Sequence, residues 1–329
     1  MALAIDPLWA SIRRLAEDCG ATGVENLYMG HFRDHGQDIR GMGVTRFVAK
    51  GERLFCVPPS CLLSSESSWF RDRWGRRTWD SFPTCRRRHL FSILVAEEAD
   101  ERGSPWAPLL DAMLGREDLA RFHPAFLPPG EFYESANYFW TRETGSFREC
   151  YDEYVEREGQ EEAIPFEQAF LALVWFQVYA DVESIPDPDA PAEFYYDPLT
   201  TWINAERSAN LVEETVPDAD GDRWFCYYAE ADVKAGEQLF YNYSYLTSLR
   251  MSERDFFRSM GFFLPRAEGD TGEEEPADHG YSELDHPCRG LWADEFPAPG
   301  PEAHPIVMNF WRFAESHCRR RRPPPTEEL

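Results

Sequence analysis

Three short stretches of this 329-residue chain carry side chains able to bind or orient a reacting group. In residues 234–263 a turn through Ala235 and Gly236 feeds Leu239, Tyr241, Tyr243 and Tyr245, which alternate with Phe240, Asn242 and Ser244. That is strand periodicity with aromatics on one face. A hydroxyl at a strand's end can hydrogen-bond a nucleophile, and the same ring can be plain packing. The second stretch is Gly41-Met42-Gly43, whose glycines either admit a ligand to bare backbone or mark a tight turn. The third is 198–205, where Asn204 is either a ligand-holding amide or a turn cap.

Other chemistries have less behind them. His286-Pro287-Cys288 and His317-Cys318 are spaced like no standard zinc site, so no metal is expected. No G-x-S-x-G, P-loop or H-E-x-x-H string occurs. The acids Asp181 and Glu183 read as a solvated face or helix end rather than an acid–base couple.

The elements that must position these residues can be read in outline. Asp6 as N-cap, Pro7, the stripe Leu8, Ile12, Leu15 and Cys19, and Gly20 as stop predict a first helix. An apolar run at 24–29 follows, then the glycine pair, then Lys50-Gly51-Glu52 turning into a strand, Arg53–Val57, closed by Pro58 and Pro59. This Gly-Glu turn echoes Gly236-Glu237. Between about 86 and 180 the spacing is helical: Leu90, Ile93, Leu94 and Glu97, then 106–114, then 148–157 as a charged exposed helix. The helix at 166–179, introduced by Pro165, is apolar on nearly every side and therefore buried. Residues 183–191 read as a proline-rich linker. Strands return at 194–204 and at 224–230, the second after a turn at 217–222.

After the tyrosine strand, Ser252 caps a helix with Glu253 and Asp255 in its first turn; it stops at Gly261 and presents Phe262 and Phe263 near that strand's end. The outline is an α+β fold, β-rich with short strands and a helical insert at about 86–190, over residues 1–264. Residues 265–329 read as an acidic linker, a short amphipathic helix near 305–318, and a basic patch at 319–322.

The net charge of −26 argues against a nucleic-acid backbone as partner and suits a cationic, Lys-rich one, or simply a solvated surface. Eight cysteines without a C-x-x-C read as reduced thiols. No apolar run approaches the ~20 residues of a membrane helix, and the first twenty residues read as an amphipathic helix rather than a signal peptide. A soluble monomer, cytoplasmic or nuclear, is the expectation.

Taken together, G-x-G before a K-G-E turn, Pro198-Leu199-Thr200-Thr201-Trp202-Ile203-Asn204-Ala205, and Gly236-Glu237 leading to Tyr243 and then Met260-Gly261-Phe262 resemble SET domains of the Rubisco large-subunit lysine methyltransferase branch. The resemblance covers about residues 24–264. It implies a SET-like fold and S-adenosylmethionine as cofactor, with Gly41, Met42, Gly43, Asn204, Ala205 and Phe262 lining its site. It also implies that Tyr243 orients a protein lysine for methyl transfer. Lysine has a pKa of about 10.4, so such a channel must favour the neutral amine by desolvation and by the nearby sulfonium. No metal is implied.

Several positions depart from the family pattern. Ala205 replaces a histidine, Thr201 an aspartate, Ser244 a glycine and Met260 a tyrosine. Residues 177–183 carry two acids and no arginine where the family has a Ser-Arg pair serving the cofactor's carboxylate, leaving Arg46 or Arg207 as substitutes. Two other readings therefore compete with a protein-lysine N-methyltransferase: a catalytically degenerate interaction module, and a SET-like pocket reused for small-molecule chemistry.

Overall fold

Trp9, Ile12, Leu15 and Ala16 give helix α1 (Trp9–Asp18) a single buried face, and Gly20, at φ 101°, ends it. Asp6 does not cap that helix. Its Oδ1 accepts the Leu8 N–H at 2.8 Å while Oδ2 takes Arg40 Nε at 2.9 Å, so the helix starts at Trp9 with no side-chain cap. The computed structural model describes residues 4–34, 37–64, 81–120, 123–126, 134–183, 193–205, 209–217 and 223–241.

The apolar run and the glycine pair become the two arms of a hairpin, β1 (Leu27–Asp34) and β2 (Gln37–Val44), registered so that Tyr28 faces Gly43 and Gly30 faces Gly41. β3 (Arg53–Val57) has the bounds its sequence predicts, and β4 (Leu63–Ser64) follows. The helical insert contributes α2 (Arg87–Asp100), α3 (Ala107–Ala112), α4 (Arg116–Leu119), α5 (Glu134–Glu158) and α6 (Phe166–Tyr179). α2 and α6 are buried around most of their circumference, which is why neither shows a clean amphipathic stripe. Phe91 of α2 meets Phe176 of α6 edge-on at 6.3 Å. Within the stretch read as charged and exposed, Cys150 and Tyr154 of α5 are buried, so that helix is half embedded.

Three consecutive arginines at the start of α2 oppose the positive end of its dipole. The buried Glu143 of α5 answers them: Arg88 grips it with Nε and Nη2, each at 2.8 Å, and His89 Nε2 lies 2.7 Å from its Oε1. Burial alone would raise the Glu143 carboxyl, but the bonds and charges of His89 and Arg88 outweigh it and hold the pKa below 4.5.

The remaining strands are β5 (Asp181–Glu183), β6 (Glu193–Tyr196), β7 (Asn204–Ala205), β8 (Leu211–Pro217), β9 (Arg223–Ala229) and β10 (Phe240–Tyr241). They form antiparallel sheets in the orders β3-β9-β8 and β4-β6-β5, and a parallel pair β10-β7. Two expectations change here. Asp181 and Glu183 lie on a strand paired with β6, and 194–204 breaks into β6, a turn at Thr200–Trp202 and β7.

The two Gly-Glu turns are built alike and lie side by side. In each, glycine takes a positive φ (Gly51 81°, Gly236 86°), as a tight turn requires. In each, the glutamate N–H donates to the carbonyl three residues back at 3.0 Å, and its carboxylate accepts that residue's N–H: Ala49 for Glu52, Lys234 for Glu237. Val48 and Val233, at matching positions ahead of the turns, pair through both backbone bonds.

The cysteines correct the reading of reduced thiols. Cys19–Cys61, Cys56–Cys226 and Cys85–Cys150 are disulfides, and Cys288 and Cys318 lie outside the described residues. Pairs 42, 170 and 65 residues apart leave no local motif in the sequence, and the intracellular location inferred from scattered thiols loses that footing.

The chain divides into two units: Met1–Leu114 with Glu143–Arg250, and Gly115–Arg142 with Met251–Leu329. In the second, the described residues include α4 and a turn at Pro124–Phe126, where Arg116 lies over the Phe126 ring at 5.6 Å. The expected Ser252 helix, Phe262 and the tail at 265–329 lie outside the described residues. No described helix is long and apolar enough to cross a membrane.

Candidate functional site

The middle of β2 is where distant segments meet. Tyr28, buried opposite Gly43, donates its hydroxyl to the Gly236 carbonyl at 3.0 Å and so fixes the second Gly-Glu turn against the hairpin. Burial raises the Tyr28 phenol above its usual pKa of 10.0, which keeps it a donor. The chain leaving that turn runs antiparallel along β2. Gly236 N donates to Val44 O at 2.8 Å, Val44 N to Glu237 O at 3.1 Å, and Leu239 N to Met42 O at 2.8 Å. Phe240 and Tyr241 then pair in parallel with Asn204 and Ala205.

Asn204 ties the third segment to the first. Its backbone pairs with Phe240, and its Nδ2 donates to the Arg40 carbonyl at 2.8 Å. A Cβ on Gly41 would stand 2.5 Å from Gln238 Nε2 and 2.7 Å from Asn204 Nδ2. Glycine is required at 41 because two amide groups close on its Cα. At Gly43 a Cβ would meet the rings of Phe32 and Tyr28 and the Glu237 carbonyl, all within 2.9 Å.

Ahead of Asn204 the chain is held by a buried acid. Asp197 Oδ1 accepts the N–H groups of Leu199 and Thr200, each at 2.8 Å, and Oδ2 accepts the Thr200 hydroxyl. Burial pushes the Asp197 carboxyl above its usual 3.8 in spite of these bonds. Thr201 Oγ1 and Trp202 Nε1, on the same turn, are buried without a hydrogen-bond partner.

The strand that leads to Tyr243 is clamped from β8 and the residue ahead of it. Asn210 behaves like one more strand residue: its Oδ1 accepts Phe240 N–H at 2.8 Å and its Nδ2 donates to Gln238 O at 2.8 Å. Glu213 Oε2 accepts the hydroxyls of Tyr227 at 3.0 Å and Tyr241 at 2.9 Å. Burial, and next the Glu213 charge, push the Tyr227 phenol well above its usual range.

Of the residues read as cofactor-lining, Gly41, Met42, Gly43, Asn204 and Ala205 are brought together; Phe262 lies outside the described residues, as do the lysine-orienting candidate Tyr243 and the substitute cation Arg207. Arg46, one of the two substitute cations, is engaged with neighbours of its own. Its Nε donates to Asn26 Oδ1 at 2.8 Å and its Nη2 pairs with Glu52 at 2.6 Å. Arg40, adjacent in sequence to Gly41, is bound to Asp6 and to the Ala112 carbonyl at 2.7 Å, with its guanidinium 5.9 Å from the Trp202 ring centre.

Gln238, Asn210 and Glu213 were not singled out by the sequence. Strand alternation gave a usable signal for Gln238, since it shares the phase of Phe240 and not of the tyrosines. Nothing local marked Asn210 or Glu213, because the acid-rich string of β8 does not look like a strand.

The SET domain family model matches residues 40–244, from the residue before the first glycine to the one after Tyr243. The chain belongs to the SET domain family. It is similar to Protein SET DOMAIN GROUP 40 of Arabidopsis thaliana, with 24% identity over 296 residues, 80% of this chain and 58% of that protein. The chain thus spans less than two thirds of that relative. Among solved structures it resembles Rubisco LSMT bound to sinefungin and monomethyllysine, with a TM-score of 0.55, 12% identity, and coverage of 80% of this chain and 57% of that one. It also resembles the SET domain of LSMT bound to lysine and AdoHcy, at TM-score 0.54 and 13% identity over 79% and 58% of the two chains. Rubisco LSMT bound to AdoMet matches at 0.53, with 12% identity over 80% and 57%. At such identities the likeness is one of fold, and it is the SET-like α+β fold that the motif order implies.

Proposed function

We propose that this SET domain is an S-adenosylmethionine-dependent N-methyltransferase acting on a lysine of a protein. The observation that carries the reading is the meeting of Gly41–Met42–Gly43, Asn204–Ala205 and the strand toward Tyr243 around one glycine face. The donor set suits the cofactor: the Asn204 amide stands against Gly41 and spends one of its two N–H donors on the Arg40 carbonyl. The backbone of residues 41–43, the Asn204 amide and the Ala205 backbone would hold it, and the cofactor supplies a methyl group on a sulfonium.

Tyr243, two residues beyond the clamped Tyr241, is proposed to orient the lysine amine, and Phe262 to line the cofactor. The acidic chain suits a Lys-containing segment as substrate. We also propose that the SET-like domain runs to about residue 264.

A second reading, a binding module without activity, is favoured by one observation. Arg40, the cation next to Gly41, is already bound to Asp6 and Ala112, so the contacts next to Gly41 come from neutral amides. Calorimetry with S-adenosylmethionine separates the two. Measurable binding, followed by methyl transfer to a peptide mixture that Tyr243→Phe abolishes while keeping cofactor affinity, supports the enzyme. No binding leaves the module, and undiminished transfer by Tyr243→Phe removes Tyr243 from its role.

A further inference from the structure

Gln238 is 7% exposed, and its Nε2 is fully buried with no hydrogen-bond partner. An amide NH2 carries two donors, and leaving both unused inside a protein is costly. The backbone that carries it is pinned on both sides. Its own carbonyl accepts from Asn210 Nδ2 at 2.8 Å, its backbone bridges Gly43, and the next residue is bound to Met42. The nitrogen lies 2.5 Å from where a Gly41 Cβ would sit, beside the Asn204 amide nitrogen at 2.7 Å from the same point. Asn204 uses one donor on the Arg40 carbonyl. Two amide nitrogens therefore converge on one bare glycine, and convergent donors call for an anionic acceptor.

We propose that Gln238 is a ligand-binding residue of this site, its amide donating to the carboxylate of the bound molecule's amino-acid end. The proposal rests on the methyl-donor reading above and names a contact that reading does not require. A neutral amide replaces a cation here because Arg40, the basic residue next to the glycine among the described residues, is bound to Asp6 and the Ala112 carbonyl. Burial of Nε2 strengthens the bond it makes, since no water competes there.

Calorimetry on the full chain with S-adenosylhomocysteine and with its decarboxylated analogue tests this. Wild type should bind the carboxylate form more tightly. Gln238→Leu should weaken that form about 10- to 100-fold, the range for a hydrogen bond to a charged group, and leave the decarboxylated form within about twofold. Without ligand, Gln238→Leu should unfold at the same temperature or higher, because an unused donor has been removed; a purely structural role predicts a lower one. Gln238→Glu, which keeps the shape and presents a carboxylate instead, should weaken the carboxylate form further than Leu does. If wild type binds and Gln238→Leu binds both molecules as well as wild type, or weakens both alike, the proposal falls and the cofactor reading stands. If wild type binds neither, both fall.

Discussion

A methyl group added at Gly43 should damage the fold, whereas the same group at Gly41 should damage the site, and the contrast follows from what each Cβ would meet. At Gly43 the obstacles are Phe32 Cζ at 2.7 Å, Tyr28 Cε1 at 2.9 Å and the Glu237 carbonyl at 2.9 Å. Two of the three cannot retreat easily: Tyr28 is buried with its hydroxyl held by Gly236, and the Glu237 carbonyl accepts Val44 N–H. Overpacking of this kind costs about 1–3 kcal/mol, and a stretched backbone bond adds about 1 kcal/mol. Gly43→Ala should therefore lose about 3 kcal/mol, or about 6–12 °C in unfolding temperature for a unit of this size. At Gly41 the obstacles are two amide ends. Gln238 can swing its tip, while Asn204 loses its bond to Arg40, about 1 kcal/mol and about 2–4 °C. Calorimetric unfolding of both variants, with cofactor titration of each, decides it. A Gly43→Ala protein as stable as wild type, or a Gly41→Ala protein less stable than Gly43→Ala, would refute the placement of the strand beside β2.

Other consequences can be checked separately. Asn210→Asp keeps an acceptor for Phe240 N–H but sets a carboxylate against the Gln238 carbonyl, so urea unfolding should give a loss of about 1–3 kcal/mol. Glu143 is held below its ordinary pKa, so its stabilising effect is complete above pH 4.5 and fades as pH falls through the lowered value. Glu143→Gln should flatten the stability profile in that acid window, and an unchanged slope would reject the His89–Arg88 cluster as its cause. Protein folded under oxidising conditions should take up at most two alkyl groups by mass, at Cys288 and Cys318, and eight after reduction; six or more without reduction would contradict the pairing. Replacing Cys56 and Cys226 by alanine should cost about 5 kcal/mol in the chain-entropy model, given their separation of 170 residues.

Elements whose signals are local could be read directly. β3 and α6 have the predicted bounds because proline, glycine and an unbroken apolar run act over a few residues. The glycine pair, Asn204 and the two Gly-Glu turns stood out for the same reason, and their order in the chain was enough to suggest the SET domain. β8 was illegible, since an edge strand tolerates exposed Glu214 and Thr215, its inward Glu213 is justified only by the Tyr227 and Tyr241 hydroxyls, and the strand is defined by its neighbour β9. Asp6 looked like a helix cap, yet from Arg40 the fold brings it a guanidinium across 34 residues of sequence.

By itself the sequence marked the glycine pair, Asn204 and the strand tyrosine as candidates and the kind of backbone each needs, because both are properties of one residue and its near neighbours. Only the tertiary structure decided which groups those residues meet. Disulfide partners 42 to 170 residues apart, the Asn210 clamp, and the amide of Gln238 against Gly41, 197 positions away, arise when distant strands are paired in one register, and no local pattern encodes that pairing.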